Sequence, residues 1–402
     1  MKLNNSSKKT YLFLQGPFSD FFRNLGERLK SQGHEILKVN FNGGDLFFWN
    51  NKDTVDFTQK TDRWKDFLKE LDEKHNFSDV MLYGDCRFYH AVAVDFFRQK
   101  NKKVHVFEEG YFRPNWITHE INGVNGYSQI PKYREFYDGL KQNTSQRRDV
   151  NLDNAFTGKI LNTYIYYVFR SFFEAKKFRH YISHRTQCPS LEAKGWFSKI
   201  AKHYFNKRIN LKKQSEFLSS DKPFFLLALQ LCSDTQIKFH SDFEGMKEVI
   251  EYVINSFAKF APDDKFLLIK THPEENGLAR LGENTENLIR NYGLEGRVVF
   301  LDGGNMPQFL RNMEAMITVN STSGMSALHH NKPVKCLGRA IYNFEGLTDQ
   351  QNLNDFWQSP RKPDEILFKK FKYYVMEYSQ VNGNYYSEEG IKTLLQNIEG
   401  RV

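Results

Sequence analysis

The residues best suited to chemistry in this chain stand at the ends of apolar runs. Met316-Ile-Thr-Val-Asn-Ser-Thr-Ser-Gly-Met-Ser-Ala-Leu328 reads as a buried strand ending in a hydroxyl-rich turn, with a helix beginning at about Gly324. Such a turn aims unpaired backbone N–H groups and the positive end of a helix dipole at whatever lies above the strand, a place that suits phosphate. Phe266-Leu-Leu-Ile-Lys-Thr-His-Pro273 is a second apolar run, and it releases Lys270, His272 and a rigid proline at its carboxyl end. Ligands of open α/β sheets bind beyond the carboxyl ends of strands, so the pair predicts a nucleotide site lacking the usual Gly-rich fingerprint. Ser and Thr also cap helices without any ligand, and a lone His is more often structural. The phosphate reading therefore rests on the two strand ends together.

Acidic residues cluster past other strand ends. Glu108-Glu109-Gly110 follows Val104 to Phe107, and Asp85 follows Tyr83-Gly84. Two adjacent carboxylates, with Gly110 allowing close approach and Arg113 nearby, could supply a general acid whose pKa is raised by its like-charged neighbour. Solvated or Arg-paired turn residues would look the same. In Leu229-Gln-Leu-Cys-Ser-Asp-Thr-Gln236, Asp234 stands at a strand end expected to face the same cleft, where it could attack an anomeric carbon. The chain contains no Asp-x-Asp pair of the kind that holds a nucleotide's metal, so metal-independent transfer from a nucleotide-sugar is the simpler expectation. The absence of G-x-G-x-x-G after a strand, of a Walker loop and of a G-x-S-x-G elbow disfavours dinucleotide oxidoreductases, P-loop NTPases and α/β-hydrolases.

Positioning such groups needs a framework, and 402 residues with 40% apolar content suit two domains. No apolar run approaches the roughly 18 residues of a spanning helix, and the polar N-terminus does not read as a signal peptide. A cytoplasmic protein is expected. Cys86, Cys188, Cys232 and Cys336 lack metal or disulfide-framework spacing and are expected to be free thiols. The net charge of +9 is uneven: Lys159 to Lys213 holds 13 Lys or Arg against Glu174 and Glu192, a local balance of +11. Aromatic residues from Tyr164 to Phe205 are interleaved with these cations. That mixture suits a surface lying on anionic lipid. It also suits nucleic acid, or a core-facing aromatic stripe on helices whose other face is solvated. No nucleic-acid motif accompanies it, so lipid ranks above nucleic acid.

Along the chain, strands alternate with helices. Strands are predicted from Thr10 to a break at Gly16-Pro17, and at Glu35 to Asn40, Asp79 to Gly84 and Lys103 to Phe107, with helices at Phe18 to Gln32, Trp64 to His75 and Phe88 to Asn101. After the basic aromatic segment, Ser215 to Pro223 reads as a polar connector. The alternation then resumes with strands at Phe224 to Gln230, Phe266 to Lys270, Val298 to Leu301 and around Ile317. Helices are predicted near Phe243 to Phe260, Asn284 to Tyr292 and Met306 to Asn312, and closing helices at Ile366 to Met376 and Ser387 to Ile398. The pattern predicts an α/β protein with parallel sheets: a Rossmann-like acceptor domain over 1–215, carrying the basic aromatic helices 159–213, and a Rossmann-like nucleotide-sugar domain over 216–402. Two such domains facing a cleft form the glycosyltransferase-B arrangement, a fold-level analogy only.

Leu14-Gln-Gly-Pro17, Tyr83-Gly-Asp-Cys-Arg87, Phe107-Glu-Glu-Gly-Tyr-Phe-Arg-Pro114, Thr118-His-Glu-Ile-Asn-Gly-Val-Asn125, Gln230 to Asp234, Lys270-Thr-His-Pro273 and Val319-Asn-Ser-Thr-Ser-Gly324 together resemble the capsule polysaccharide biosynthesis family of KpsS and LipB type, which are β-Kdo transferases. The resemblance implies a retaining transferase that moves Kdo from CMP-β-Kdo to phosphatidylglycerol or its lyso form. Its implied place is peripheral, at the inner face of a Gram-negative bacterium's cytoplasmic membrane, among other capsule synthesis and export proteins, with no cofactor and no nucleic-acid partner. By motif position it implies Asp234 as nucleophile and Glu108, beside Glu109, as general acid and base. It further implies Lys270, His272, Ser321, Thr322 and Ser323 at the CMP phosphate, with Gln230, Asn320 and Gly324 in the same nucleotide-sugar site and Asp85 and Arg113 on the acceptor side. Met325-Ser-Ala follows the glycine where other nucleotide-sugar enzymes often carry a ribose-binding Glu.

Overall fold

The central strands of both sheets are apolar on both faces, as parallel strands covered by helices must be. The computed structural model describes residues 8–141, 152, 155–183, 208, 210–219, 222–232 and 234–402. Contacts cluster into two units, Met1–Gln129 with Ser145–His184 and Val375–Val402, and Ile130–Thr144 with Arg185–Tyr374.

The first unit holds β1 (Thr10–Phe13), β2 (Glu35–Asn40), β3 (Thr54–Asp56), β4 (Asp79–Tyr83), β5 (Lys103–Glu109) and β6 (Trp116–Ile121). The second holds β7 (Phe224–Ala228), β8 (Phe266–Lys270), β9 (Val298–Leu301), β10 (Ala315–Thr318) and β11 (Val334–Cys336); β12 (Gln380–Asn382) belongs to the first. The first sheet runs β12-β6-β5-β4-β1-β2-β3 and the second β11-β10-β7-β8-β9. In both, the chain steps outward through two neighbouring strands, then crosses back to start on the other side of its first strand. That reversal is the Rossmann switch point, between β1 and β4 in one unit and between β7 and β10 in the other. The α/β class and its Rossmann-like halves are as predicted.

Helices pack by the expected periodicity. In Phe21–Ser31, Phe21, Phe22, Leu25 and Leu29 are buried, and Gly33 follows at φ +92°. In the second unit, Met246–Phe260 buries Val249, Ile250, Val253, Ile254 and Phe257 in the core of the β7 sheet. The helix Phe156–Glu174 lies on Gly43–Trp49. A Cβ on Gly43 would stand 2.2 Å from the Phe169 carbonyl, and one on Gly44 2.4 Å from the Tyr166 ring, so only glycines admit this contact.

Three expectations are corrected. The single boundary at 215/216 is replaced by a chain that returns: β12 pairs antiparallel with β6, joining Val381 to Ile117, so residues from Val375 onward belong to the first unit. The first sheet is therefore not wholly parallel, since β6 also runs antiparallel to β5. The expected polar connector is in part helical, over 210–219. Its Gln214 is buried, donating to Gln308 Oε1 (2.7 Å) and accepting from the Asn305 amide (3.2 Å), a tertiary anchor that composition does not reveal. Cys86, Cys232 and Cys336 are free thiols. Cys188 and, within the basic aromatic segment, residues 184–207 and 209 lie outside the described residues.

Candidate functional site

In the second unit, the switch point is bridged by side-chain amides. Gln230, two residues past β7, donates through Nε2 to Asn320 Oδ1 (2.9 Å) and Asp234 Oδ2 (3.2 Å), and its Oε1 accepts from the Asn320 backbone amide (3.1 Å). Asn320 Nδ2 donates onward to the carbonyls of Gln236 (3.1 Å) and His240 (3.4 Å). Asp234 Oδ1 caps the helix Thr235–His240 by accepting from the Gln236 amide (2.9 Å). The candidate nucleophile is thus held at both oxygens by its own loop, and capping is its local structural task.

The hydroxyl turn is tightly organised. Ser321 Oγ accepts from the Ser323 amide (3.2 Å) and hydroxyl (2.9 Å), and Tyr342 OH donates to the Ser321 carbonyl. A Cβ on Gly324 would lie 2.3 Å from that phenol oxygen, so glycine is what lets Tyr342 reach the turn. The Gly324 and Met325 amides donate to the carbonyls of Ser321 (3.0 Å) and Thr322 (3.1 Å). The expectation that this turn presents unpaired amides is therefore corrected for Ser323, Gly324 and Met325. The half-buried hydroxyls of Ser321, Thr322 and Ser323 remain as groups that can meet an anion.

Lys270 and His272 leave β8 at the same sheet end, with β7 between them and β10, an offset of two strand spacings or roughly 10 Å. Lys270 is 2% exposed and donates to the Thr271 carbonyl (3.0 Å). His272 Nδ1 accepts from the Glu274 amide (3.1 Å), which leaves Nε2 to carry the ring proton as a donor. Buried Glu275, absent from the sequence reading, accepts from the Cys232 amide (3.0 Å). Burial and then Glu275 push the Cys232 thiol up to about 12, which makes it unreactive.

In the first unit, Glu108 and Glu109 end β5. Burial, followed by smaller contributions from neighbouring charges, holds the Glu108 carboxyl up to about 7. The Glu109 charge adds to this, while the Glu109 amide (3.0 Å to Oε1) and the Arg87 guanidinium oppose it. The elevation has burial as its main cause rather than the like-charged neighbour. Glu109 Oε1 accepts from Tyr386 OH (3.1 Å) and Tyr83 OH (3.5 Å), and Tyr385 OH donates to the Glu108 carbonyl (3.1 Å). Tyr385 and Tyr386 arrive with β12 from the far end of the chain, and no local signal in the sequence points to them, whereas Tyr83 ends β4. Gly110 admits backbone rather than ligand, since a Cβ there would meet the Trp116 carbonyl at 2.1 Å.

Asp85 is 3% exposed and is spent on the fold: Oδ2 accepts from the Val124 amide (2.9 Å) and Oδ1 from the Cys86 thiol (3.2 Å). Burial raises its pKa. Arg113 is exposed, with Nε donating to the Gly110 carbonyl (3.3 Å). Across the β1 end, Gln15 donates to Tyr166 OH (2.7 Å) and Tyr181 OH (3.1 Å), and also to both oxygens of buried Asp45 (3.3 and 3.4 Å). Asn42 caps Gly43–Trp49 and donates to Tyr166 OH (2.8 Å). The Asn-Gly-Gly run at 42–44 could have signalled this cap and close packing.

The basic aromatic helix divides its faces. Tyr166 and Arg170 are buried, whereas Ile160, Tyr164, Val168 and Phe172 recur every fourth residue and are 47–69% exposed. Among the described residues no helix is long and apolar enough to cross a membrane.

The profile of the family described as "Capsule polysaccharide biosynthesis protein" matches residues 78–386. The capsule polysaccharide modification protein LipB of Neisseria meningitidis is 36% identical over 95% of this chain and 93% of its own length. The capsule polysaccharide export protein KpsS of Escherichia coli is 35% identical over 94% of this chain and 97% of its own. Among solved structures, the β-Kdo 2,7-transferase KpsC of Thermosulfurimonas dismutans aligns over 97% of this chain and 99% of that one, at 13% identity and a TM-score of 0.46.

Proposed function

Because the chain belongs to the capsule polysaccharide biosynthesis family, we propose that it is a glycosyltransferase moving Kdo from CMP-β-Kdo to a phosphatidylglycerol or lysophosphatidylglycerol acceptor, or to the first Kdo on it, with retention. The observation that carries the chemistry is Glu108, a half-buried carboxyl at a strand's carboxyl end whose pKa lies at about 7. At neutral pH such a group takes and returns protons in both directions. In a double displacement, the Asp234 carboxylate bonds to the anomeric carbon as the bond to CMP breaks and CMP leaves with the electron pair. Glu108 then takes the proton of the acceptor hydroxyl as that oxygen displaces Asp234. Ser321, Thr322, Ser323, His272 and Lys270 are assigned to the CMP phosphate. Gln230 and Asn320 hold the loop that carries Asp234. No metal is required.

A lipid acceptor asks for a membrane-facing surface. The exposed stripe of Phe156–Glu174, with Lys159 and Lys176 beside it, supports a peripheral position on anionic lipid, each basic residue near such a surface contributing about 1 kcal/mol. Sedimentation with phosphatidylglycerol vesicles should be weakened by salt and by Tyr164→Glu with Val168→Glu; unchanged binding would reject the assignment.

Incubation with CMP-Kdo and a short-chain phosphatidylglycerol analogue tests the reaction, with product read by mass spectrometry. Folded protein that gives no product would overturn the proposal. Thermal stabilisation by CMP but not UDP separates this donor from other nucleotide-sugars. CMP binding without turnover would favour a non-catalytic assembly or export adaptor.

A further inference from the structure

We propose that Arg87 forms an oxyanion site at the carboxyl end of β4, taking a phosphate or carboxylate group of the molecule on which Glu108 acts. Arg87 is the residue before the 12-residue helix Phe88–Gln99, beside the switch point of the first sheet. Its Nη1 is buried and, among the described residues, has no hydrogen-bond partner. A buried guanidinium donor without an acceptor is costly, and native structures normally pair it. The guanidinium lies over the Tyr83 ring, 5.2 Å from its centroid, within reach of a cation–π contact.

Three further features favour an anion at this place. No side chain caps the first turn of Phe88–Gln99 and no acid stands in it, so the helix presents its positive end uncompensated. Gly84, at φ +70°, stands between the two groups: a Cβ built there would lie 3.2 Å from Glu108 Oε2, a tight contact, and 3.9 Å from Arg87 Nε, so both side chains border the place where glycine carries none. One turn into the helix, His90 is fully buried, its Nδ1 donates to the Gly84 carbonyl (2.7 Å), and its Nε2 also lacks a partner. Burial keeps His90 neutral, so Nε2 can only accept. An unpaired guanidinium donor with a bare acceptor three residues on in the chain suits an oxyanion that also carries a hydroxyl, as a glycerol phosphodiester or a sugar acid does.

The site itself is independent of the transfer reaction; that its occupant is a substrate of Glu108 rests on the function proposed above. The test is direct binding to the full chain, by calorimetry and thermal shift. Glycerophosphoglycerol stands for the lipid headgroup, free Kdo for a sugar carboxylate and inorganic phosphate for a free anion, with CMP as the reference ligand. Wild type should bind at least one of the three oxyanions. Arg87→Met should bind it roughly 10- to 100-fold more weakly, the scale of a lost charge-assisted hydrogen bond, with CMP binding unchanged. Arg87→Lys, which keeps the charge and loses the fork, should fall between them and covers a folding defect in Arg87→Met. Preference for glycerophosphoglycerol would identify the acceptor's phosphate as occupant, preference for Kdo a sugar carboxylate, and preference for phosphate a free anion. Equal oxyanion binding by wild type and both variants, or none by wild type, would overturn the proposal. Arg87-dependent binding in a protein that transfers no sugar would leave this site standing and remove the proposed reaction instead.

Discussion

Replacing Glu108 by Gln isolates the electrostatic cost on which the chemistry depends. Gln keeps the shape and the Oε1 acceptor for the Glu109 amide but cannot ionise. In the folded protein the carboxyl ionises at about 7 rather than at its ordinary 4.5. The folded state thus holds its proton more tightly than the unfolded state, and stability contributed at acid pH is lost as pH rises across that interval. Each pH unit is worth about 1.4 kcal/mol, which sets a ceiling of roughly 3 kcal/mol. Solvent reaching the half-buried carboxyl reduces the expected effect to about 1–2 kcal/mol. Urea unfolding of wild type and Glu108→Gln at pH 5 and pH 8.5 measures it. The variant's stability relative to wild type should improve by about 1–2 kcal/mol between the two pH values, while sugar transfer is lost. An equal difference at both would mean that Glu108 is not held protonated by burial, and the argument for its acid/base role would fail.

Asp234→Asn should abolish transfer with little loss of stability, since Asn also caps helices, whereas Asp234→Ala should cost about a further 1 kcal/mol through the lost cap; retained activity in Asp234→Asn would reassign the nucleophile. Gly44→Ala places a methyl group 2.4 Å from the Tyr166 ring, which Asn42 and Gln15 hold in place. It should lower stability by about 1–3 kcal/mol, and an unchanged melting temperature would show that the helix pair can shift freely. Gly324→Ala should displace Tyr342 from the Ser321 carbonyl and weaken stabilisation by CMP, read in the same melting assay. His119→Ala should remove the donor to His105 Nδ1 (3.0 Å) in the buried chain that continues through His105 Nε2 to Asp79 (2.9 Å). A loss of about 1–3 kcal/mol is expected for the unsatisfied nitrogen and the cavity, and no loss would mean that water fills the gap.

Elements whose causes are local could be read from the amino acids. Phe266–Lys270, Val298–Leu301 and Met306–Asn312 have the predicted limits because apolar runs, a capping Asn305 and Pro307 within the first turn act over a few residues. The strand-end positions of Glu108, Asp234, Lys270 and Ser321 follow from the same patterns. What the patterns could not convey is which distant segments share a sheet. The return of β12 to β6 brings Tyr385 and Tyr386 to a carboxylate pair 277 residues away, and helix 210–219 is secured by Gln214 against Asn305 and Gln308. The orphaned Nη1 of Arg87 is likewise invisible in the motif that contains it. Secondary structure answers to hydrogen bonds and burial periodicity within one or two turns of chain, so the sequence alone determined the α/β class and the alternation of its main strands with helices, but not the strands β3, β6, β11 and β12 or the order of strands in either sheet. Burial and electrostatics sum over every group within several ångströms, whatever its place in the chain. Only tertiary structure could therefore decide that Glu108 holds its proton to about pH 7, that Asp85 is tied into the fold, and that the partly buried Arg87 near Glu108 keeps a buried donor still to satisfy.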